Sequence, residues 1–588
     1  PGRAGALLGW AEQANMTHGV VTLLRVRAPT QCLSLALIAA ALSWGVVMAA
    51  SAETRAVGRQ GMLATSSPEA SAVGAQILKA GGNAVDAAVA VGFALAVTYP
   101  EAGNLGGGGF AVVRAPDGAV VTLDHRERAP FGATQDMFLD AAGRLDSTLS
   151  LESHLASGTP GSVDGLLALH ERFGKLSRQT VLAPAVNLAR KGFVLSETLA
   201  GRIQELLPEL RHRPASLEKF SAGGKAYKAG ETWRQPDLAK TLQAISDEGR
   251  AGFYSGWVAN AITHEMVQQG GLIRQADLDA YESVWRDPIH GRYRGFDVYS
   301  MAPPSSGGIL LTQMLNMLSA YPVGQLQPGS ADLIHLMTEV ERRAYADRTE
   351  HLGDSDFYPV PIQKLIDPGY AKARMESHDP NKASLSSAIG HGVWQESEQT
   401  THYSVIDGDG MMVALTTTLN SSFGNKWVIP GTGILMNNEM DDFAASTTEA
   451  NQYGLLGNTA NAIAPGKRML SSMSPTLVLK DNQPVLITGS PGGSTIITTV
   501  LQVILNVIDH GQSLAQAVAA PRVHHQWQPD VIDFEKGRLP ETVIADLKAR
   551  GHSLQARSAI GVANSILVTN GQLEGVADPR DMGAAAGF

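Results

Sequence analysis

Cysteine is almost missing from this chain: Cys32 is the single one in 588 residues. No disulfide framework and no cysteine-based metal site can be built from it. Positive charge is also short, with 46 Lys and Arg against 56 Asp and Glu and a formal charge of −10 at pH 7. Nothing in that balance suggests nucleic acid as a partner. Internal repeats and low-complexity linkers are absent, and so is a Gly-x-Ser-x-Gly nucleophile elbow. What remains is ordinary globular composition, 44% hydrophobic and 17% charged. The chain is long enough to bury one large core or two.

One apolar run stands out near the start. "CLSLALIAAALSWGVVMAASAE" begins at Cys32 and follows Met16, Arg25 and Arg27. It reads as the apolar region of a signal peptide, ending in the small-residue cleavage signal Ala50-Ser51-Ala52. An uncleaved anchor is the alternative, because the run is nearly long enough to span a bilayer. No Leu-x-x-Cys lipobox precedes Cys32. On the first reading, residues before Met16 are upstream translation and 1–52 are removed. The mature chain then begins near Glu53 and is exported, periplasmic or secreted.

Beyond the leader, "SAVGAQILKAGGNAVDAAVAVGFALAVTYP" reads as two small-residue helices broken at Gly81-Gly82. The second is apolar all round and is expected to be buried. "EAGNLGGGGFAVV" then turns into a strand, and "AVVTLDHRE" returns after the turn Pro116–Gly118, leaving Arg126 at its end. Residues 160–300 read mostly as amphipathic helix, on "LLALHERFGKL" and "LDAYES", followed by "DLIHLMTEVERRAYADR". The loop "MAPPSSGGILL" interrupts them. From about 380 to 399 the chain is polar and irregular, an exposed, cleavable linker. After it, "THYSVID", "MMVALTTTLN" and "TLVLKDNQPVLITG" read as strands.

The chemistry concentrates after that linker. "THYSVIDGDGMMVALTTTLN" reads as a hairpin around Asp409-Gly410. With a three-residue loop, 408–410, Thr418 lies opposite Thr400, with Asn420 in the same neighbourhood. An even-numbered loop breaks that parity, and threonine is common in any strand. A cut between Gln399 and Thr400 changes the chemistry. The freed α-amine, with an ordinary pKa of about 7.7–8.0, can take the hydroxyl's proton. That is the threonine form of a self-activated nucleophile. "TGSPGGSTIITT" places Gly492 and Gly493 at a strand-to-helix turn, where main-chain N–H groups can face an oxyanion. Without context such a pair is a tight turn. "GNLGGGG" leads from a helix into a strand, the reverse of the dinucleotide-binding order. "SLEK", Ser216 to Lys219, has no accompanying β-lactamase motif and reads as solvated helix. His402 shares a face with Thr400 and reads as a packed, hydrogen-bonded residue, with no metal-ligand spacing around it. "NNEMDDF", Asn437 to Phe443, reads by itself as a solvated acidic loop.

Taken together, these stretches resemble the γ-glutamyltranspeptidase family. The resemblance spans nearly all of the mature chain, through "DHRERAP", "SHLASGTPGSV", "MAPPSSGGI", "AYADRTEHLGD", "QTTHYSV", "LSSMSPT", "TGSPGGS" and "DPRDMGAAAGF". Met411 departs from it, standing at the hairpin tip where the family usually has Ser or Asn. The resemblance implies an α/β fold of the N-terminal-nucleophile (Ntn) hydrolase type, a four-layer αββα sandwich made as a self-cleaving precursor. It implies a large subunit, 53–399, and a small subunit, 400–588, paired as a heterodimer. Thr400 matches the nucleophile, Thr418 the threonine beside its amine, and Gly492 and Gly493 the oxyanion donors. Arg126 matches the arginine for the substrate α-carboxylate, helped by Ser471 and Ser472. Asp442 matches the acid for the α-ammonium, with Asn420 and Glu439 beside it. Tyr453 matches the aromatic residue of a lid loop. The implied substrates are glutathione and other γ-glutamyl compounds, with water, amino acids or dipeptides as acceptors, and no cofactor or metal.

Two alternatives stay open at this point. One is a relative with the same fold, a cephalosporin acylase or a poly-γ-glutamate transpeptidase. The other is an unprocessed exported binding protein.

Overall fold

The computed structural model describes residues 53–390, 400–444 and 459–588. The expected leader, Gln399 and the expected lid residue Tyr453 lie outside the described residues. Two seven-stranded sheets form the centre. Their strands, in chain order, are β1 (Arg55–Gly58), β2 (Gly61–Thr65), β3 (Gly108–Arg114), β4 (Val120–His125), β5 (Val284–Arg286), β6 (Ile289–Tyr293) and β7 (Phe296–Ser300). They continue with β8 (Thr400–Asp407), β9 (Met412–Thr418), β10 (Thr476–Lys480), β11 (Gln483–Thr488), β12 (Ser565–Thr569), β13 (Gln572–Val576) and β14 (Ala584–Gly587). The first sheet runs β14-β2-β8-β9-β3-β4-β5 and the second β1-β13-β12-β11-β10-β7-β6.

Strand alternation sorts the core into layers. Val112, Ile406, Met412 and Ala414 point from the first sheet into a dry seam, where they meet Leu477, Leu479, Ile487 and Ile566 of the second. Their neighbours Val113, Tyr403, Val405, Val413 and Leu415 point outward, into a cluster with α1 (Pro68–Lys79), α2 (Ala84–Thr98) and α3 (Ser162–Phe173). On the far side Val298, Val478 and Leu486 pack against α4 (Gly307–Leu318), α5 (Ala331–His351) and α6 (Thr495–Ile508). The order helix, sheet, sheet, helix is the expected αββα sandwich. Burying each such leucine or valine contributes about 1.5–3 kcal/mol, so the layer order follows from the alternation.

α2 is buried at every position. Its small residues are what let it lie that deep: a Cβ on Gly92 would sit 2.8 Å from Leu166 and from the Tyr403 hydroxyl. Asn83 caps it with a reciprocal Asp86 bond. The Asp481-Asn482 turn between β10 and β11 has φ of 52° and 60°, the paired left-handed values of a type I′ hairpin.

Two expectations need correction. Residues 284–300 are strands, not helix: "IHGRY" and "FDVYS" pair across a turn at Arg294-Gly295, with φ of 51° and 83°. Those glycine and turn signals outweigh the helical spacing upstream. The helix expected on "LDAYES" ends at Asp279 after five residues. Residues 53–399 and 400–588 share both sheets. β8 lies between β2 and β9, and β7 pairs with β10, so both stretches build both sheets. A cut at 399/400 would leave two chains sharing one core.

Among the described residues, no helix is long and apolar enough to cross a membrane.

Candidate active site

The β8–β9 register places Thr400 opposite Thr418. The loop is the three-residue one: the Asp407 amide donates to the Met411 carbonyl at 3.2 Å, and Asp407 Oδ1 accepts from the Asp409 and Met411 amides at 3.0 Å each. Met411 is not at an exposed tip. Its side chain is buried in the helix-side core, which explains why an apolar residue is accommodated there. Thr400 therefore starts a central strand on the face that looks toward the second sheet. It is itself only 6% exposed.

His402 lies on the same face, beneath Thr400. Its ring nitrogens meet Thr416 Oγ1 at 2.8 Å and Ser404 Oγ at 3.1 Å. Ser404 donates its own proton to the Asn564 carbonyl, so His402 Nε2 is the donor to Ser404 and Nδ1 accepts from Thr416. Burial pushes its pKa down to about 3. This is the packed, hydrogen-bonded residue expected.

Thr418 is held from both sides. Its hydroxyl accepts from the Asn420 amide at 2.8 Å, and its carbonyl accepts from Asn104 Nδ2 at 2.8 Å. The glycine run is the reason β3 can approach this closely. A Cβ on Gly107 would lie 2.1 Å from the Thr418 carbonyl, and one on Gly109 2.3 Å from that of Thr416. "GNLGGGG" is thus a backing surface for β9.

Gly492 and Gly493 sit where β11 turns into α6, with φ of 128° and 53° that side-chain-bearing residues rarely adopt. Thr495 and Ile496 amides return to their carbonyls at 3.0 and 3.1 Å. Behind the turn, Ser494 Oγ donates to Gln526 and the Tyr345 hydroxyl donates to the Ser494 carbonyl. Gly492 and Thr400 line one cavity of about 340 Å³, together with Tyr99, Arg202 and Thr495.

The other end of the site is ionic. Arg126 follows β4 immediately and is 1% exposed. One arm of its guanidinium donates to Glu439 and the other to Asp442, with the Leu470 carbonyl at 3.2 Å. Glu439 and Asp442 lie on one 3₁₀ turn, Glu439–Asp442, that is buried throughout. The solvated-face reading of "NNEMDDF" is therefore overturned. Asn437 holds that turn inside by bonding the Gly106 and Gly158 carbonyls and the Gly158 amide. Asn420 Nδ2 donates to the Asn438 carbonyl at 2.9 Å, which ties this end to the Thr418 end. Burial raises Glu439 well above the usual carboxylate range despite Arg126.

Ser471 and Ser472 follow Met469 and Leu470, whose carbonyls face Arg126. The "MAPPSSGGI" loop fixes them. Ser306 bonds the Ser471 carbonyl through its amide at 2.7 Å and its hydroxyl at 2.9 Å, and Ser471 returns its amide to Pro304.

Two residues at this site escape motif reasoning. Arg348, on α5, donates to Ser472 Oγ at 3.1 Å and Ser306 Oγ at 2.9 Å. Its only sequence signal is a charged residue within "AYADRTEHLGD". Glu127 is wholly buried, with one oxygen 3.7 Å from Arg126, and its signal is adjacency to Arg126. Elsewhere "SLEK" is structural, as Ser216 Oγ accepts from Val428 and Lys219 Nζ donates to Gly433.

His335, Glu339 and His552 cluster tightly enough to suggest a cation. However, the two imidazoles hydrogen-bond each other at 2.7 Å, and Glu339 is engaged by Arg343 and the Ser384 amide. Two arginines, Arg342 and Arg343, already answer its charge.

Known proteins resemble the chain over most of its length. A curated relative from Escherichia coli, "Glutathione hydrolase proenzyme", is 50% identical over 89% of this chain and 91% of its own length. "Acylase ACY 1 proenzyme" of Pseudomonas sp. is 39% identical over 89% and 92%. The crystal structure of a cephalosporin acylase from Bacillus halodurans superposes with a TM-score of 0.81 at 28% identity, covering 91% of this chain and 97% of that one. A Helicobacter pylori gamma-glutamyltranspeptidase chain is 43% identical with a TM-score of 0.54, over 55% of this chain and 93% of its own. The sequence profile of the family described as Gamma-glutamyltranspeptidase matches residues 70–588. This chain belongs to the gamma-glutamyltranspeptidase family.

Proposed function

We propose that the chain is cut between Gln399 and Thr400 and then acts as a γ-glutamyltransferase and glutathione hydrolase, exported after loss of its leader. The observation that carries this reading is a buried arginine between two buried carboxylates, tied through Asn420 to the strand pair that bears Thr400. A zwitterionic glutamyl end matches that charge set. Its α-carboxylate takes the Arg126 fork, with Ser471 and Ser472 beside it, and its α-ammonium takes Asp442 and Glu439. Binding then exchanges ion pairs instead of leaving charges bare. The clamp leaves the γ-carbonyl as the group that reaches Thr400.

The chemistry follows in two halves. The free α-amine of Thr400 accepts the hydroxyl proton as Oγ bonds the γ-carbonyl carbon. The carbonyl oxygen becomes an oxyanion facing the Gly492 and Gly493 amides. The C–N bond breaks, the amine leaves with that proton, and a γ-glutamyl ester of Thr400 remains. Water or an acceptor amine then attacks the ester, and Thr400 regains its hydroxyl.

An acylase reading is weaker on this site. An acyl group without an amine would occupy Arg126 but leave Asp442 and Glu439 buried and unanswered, a costly arrangement. Initial rates on γ-glutamyl-p-nitroanilide, with and without glycylglycine, test the reading together with N-terminal sequencing of the small fragment. The expected sequence is Thr-Thr-His. Full activity from one unbroken polypeptide would overturn it.

A further inference from the structure

Two buried guanidiniums address one short stretch of chain, residues 469–472. Arg126 donates to the Met469 and Leu470 carbonyls. Arg348, in the last turn of α5 and wholly buried, reaches the next two residues. Its Nη2 donates to Ser472 Oγ at 3.1 Å, and its Nε to Ser306 Oγ at 2.9 Å, the hydroxyl that in turn bonds the Ser471 carbonyl.

The main chain here is held by other groups. The Ser471 carbonyl accepts from the Ser306 amide, the Ser472 carbonyl from Ser474 Oγ at 2.8 Å, and the Met473 carbonyl from Ser305 Oγ at 2.7 Å. Packing reinforces these bonds, since a Cβ on Gly307 would lie 2.2 Å from Ser474 Oγ. The Nη2 arm of Arg348 ends instead on a side-chain hydroxyl. A serine hydroxyl can donate or accept, whereas arginine only donates and a carboxylate only accepts. With the guanidinium on its lone pair, Ser472 Oγ directs its own proton elsewhere. Ser471 is set in the same sense, because its Oγ accepts from the Met473 amide at 3.2 Å. Both hydroxyls thus have the polarity that an anionic ligand needs. A cationic donor also polarises the hydroxyl it reaches, which makes that O–H a stronger donor in turn.

We propose that Arg348 is a positioning residue for the α-carboxylate of the γ-glutamyl substrate, acting through Ser472. It fixes that hydroxyl as a proton donor and strengthens its bond to the carboxylate. This rests on the γ-glutamyl reading of the same site. It adds a second buried cation to the carboxylate subsite, one hydroxyl removed from the ligand, and makes Arg348 and Ser472 a single functional unit.

The test is competitive inhibition of γ-glutamyl-p-nitroanilide hydrolysis by L-glutamate and by its α-amide, isoglutamine, using mature enzyme. Wild type is expected to favour L-glutamate. Arg348→Gln has a side chain that can accept from Ser472 as well as donate to it. It is expected to weaken L-glutamate about tenfold and isoglutamine about threefold or less, and to raise KM with a smaller change in kcat. Arg348→Lys, which again can only donate, is expected to return L-glutamate to within about threefold of wild type. With the Ser472 hydroxyl removed, Arg348 has nothing to act through. The double variant Ser472→Ala with Arg348→Gln should therefore bind L-glutamate no more weakly than Ser472→Ala alone. Equal weakening of both ligands in Arg348→Gln, as a packing defect would give, overturns the proposal, and so do additive losses in the double variant. If Arg348→Gln does not mature, Ser472→Ala decides alone: equal losses for L-glutamate and isoglutamine overturn the proposal. Inhibition of wild type that does not depend on Arg348 overturns this inference and leaves the γ-glutamyl reading standing. Wild type that is not inhibited by L-glutamate, or that does not prefer it to isoglutamine, overturns both.

Discussion

At the Thr400 end of the site a cavity of about 340 Å³ stays open beside that side chain, whereas at the Arg126 end cation and acids have closed on one another. Next to Thr400 the first end is built from main chain, a strand terminus, two left-handed glycines and the start of α6, while Arg202, paired with Glu101 and Asp581, lines the far wall of the same cavity. Such main-chain groups hold their geometry without a ligand and need no neutralising partner. The second is built from side-chain charges in a dry pocket, and bare charges there would be expensive. It therefore holds internal ion pairs, which on the proposed function a zwitterion replaces on both sides. On the proposed function, the chemistry is preset and the recognition is self-neutralised until substrate arrives.

Substitutions at the two ends should consequently fail in different ways. The largest effect is expected from Thr400→Ala, which removes nucleophile and processing group together. Turnover should fall by about a thousandfold or more, and the protein should run as one band on a denaturing gel. A variant that still matures would separate processing from Thr400. Next comes Arg126→Lys. A point charge cannot span Glu439, Asp442 and a substrate carboxylate as the fork does, so kcat/KM should drop about 10²–10³-fold, mainly through KM. Arg126→Ala leaves Glu439, Asp442 and Glu127 without their shared cation and should cost about 3–5 kcal/mol of stability by denaturant unfolding. At the main-chain end the split should reverse. Gly492→Ala puts a Cβ 2.3 Å from Thr495 Oγ1 at a φ of 128°. Displacing that amide should lower kcat about a hundredfold with little change in KM. If Gly492→Ala acted on KM instead, the division between the two ends would not hold.

The sequence made the two ends unequally legible. A three-residue loop sets Thr400 against Thr418, a pairing the sequence offered on condition of that loop length and the structure supplies. The layer order was implied by the family resemblance, and the alternation of Tyr403, Val405, Val413 and Leu415 with Ile406, Met412 and Ala414 is how the strands realise it. The ionic end could not be read that way. Arg126, Glu439 and Ser471 come from three distant stretches, and only the family resemblance joined them. Burial of "NNEMDDF" depends on Asn437 bonding Gly106 and Gly158, contacts across some 280 residues or more. Glu127 and Arg348 carry no motif of their own. Their importance arises from enclosure, which is a property of the finished fold. The strands at 284–300 were missed for a local reason, since a short hairpin followed a long helical stretch.

The smallest effect is expected from His402, a titratable side chain directly beneath Thr400, and it separates the structural from the catalytic reading of that face. With its pKa held at about 3, it stays neutral from pH 5 to 9, so it cannot supply either limb of an activity profile. His402→Gln should leave the shape of the kcat/KM profile unchanged over that range. Stability should behave differently. Folded His402 resists protonation down to about pH 3, while the unfolded chain takes up a proton below about 6.5. The unfolded state binds more protons in that window, so wild-type stability falls as pH drops through it, by about 1.4 kcal/mol per pH unit at most. The variant lacks this term. Its deficit relative to wild type, from the disturbed Thr416 and Ser404 bonds, should therefore shrink as the pH is lowered from 6.5 toward 4. A deficit that stays constant would mean that the imidazole is solvated, and an activity limb that moves would mean that the open end of the site uses a second base.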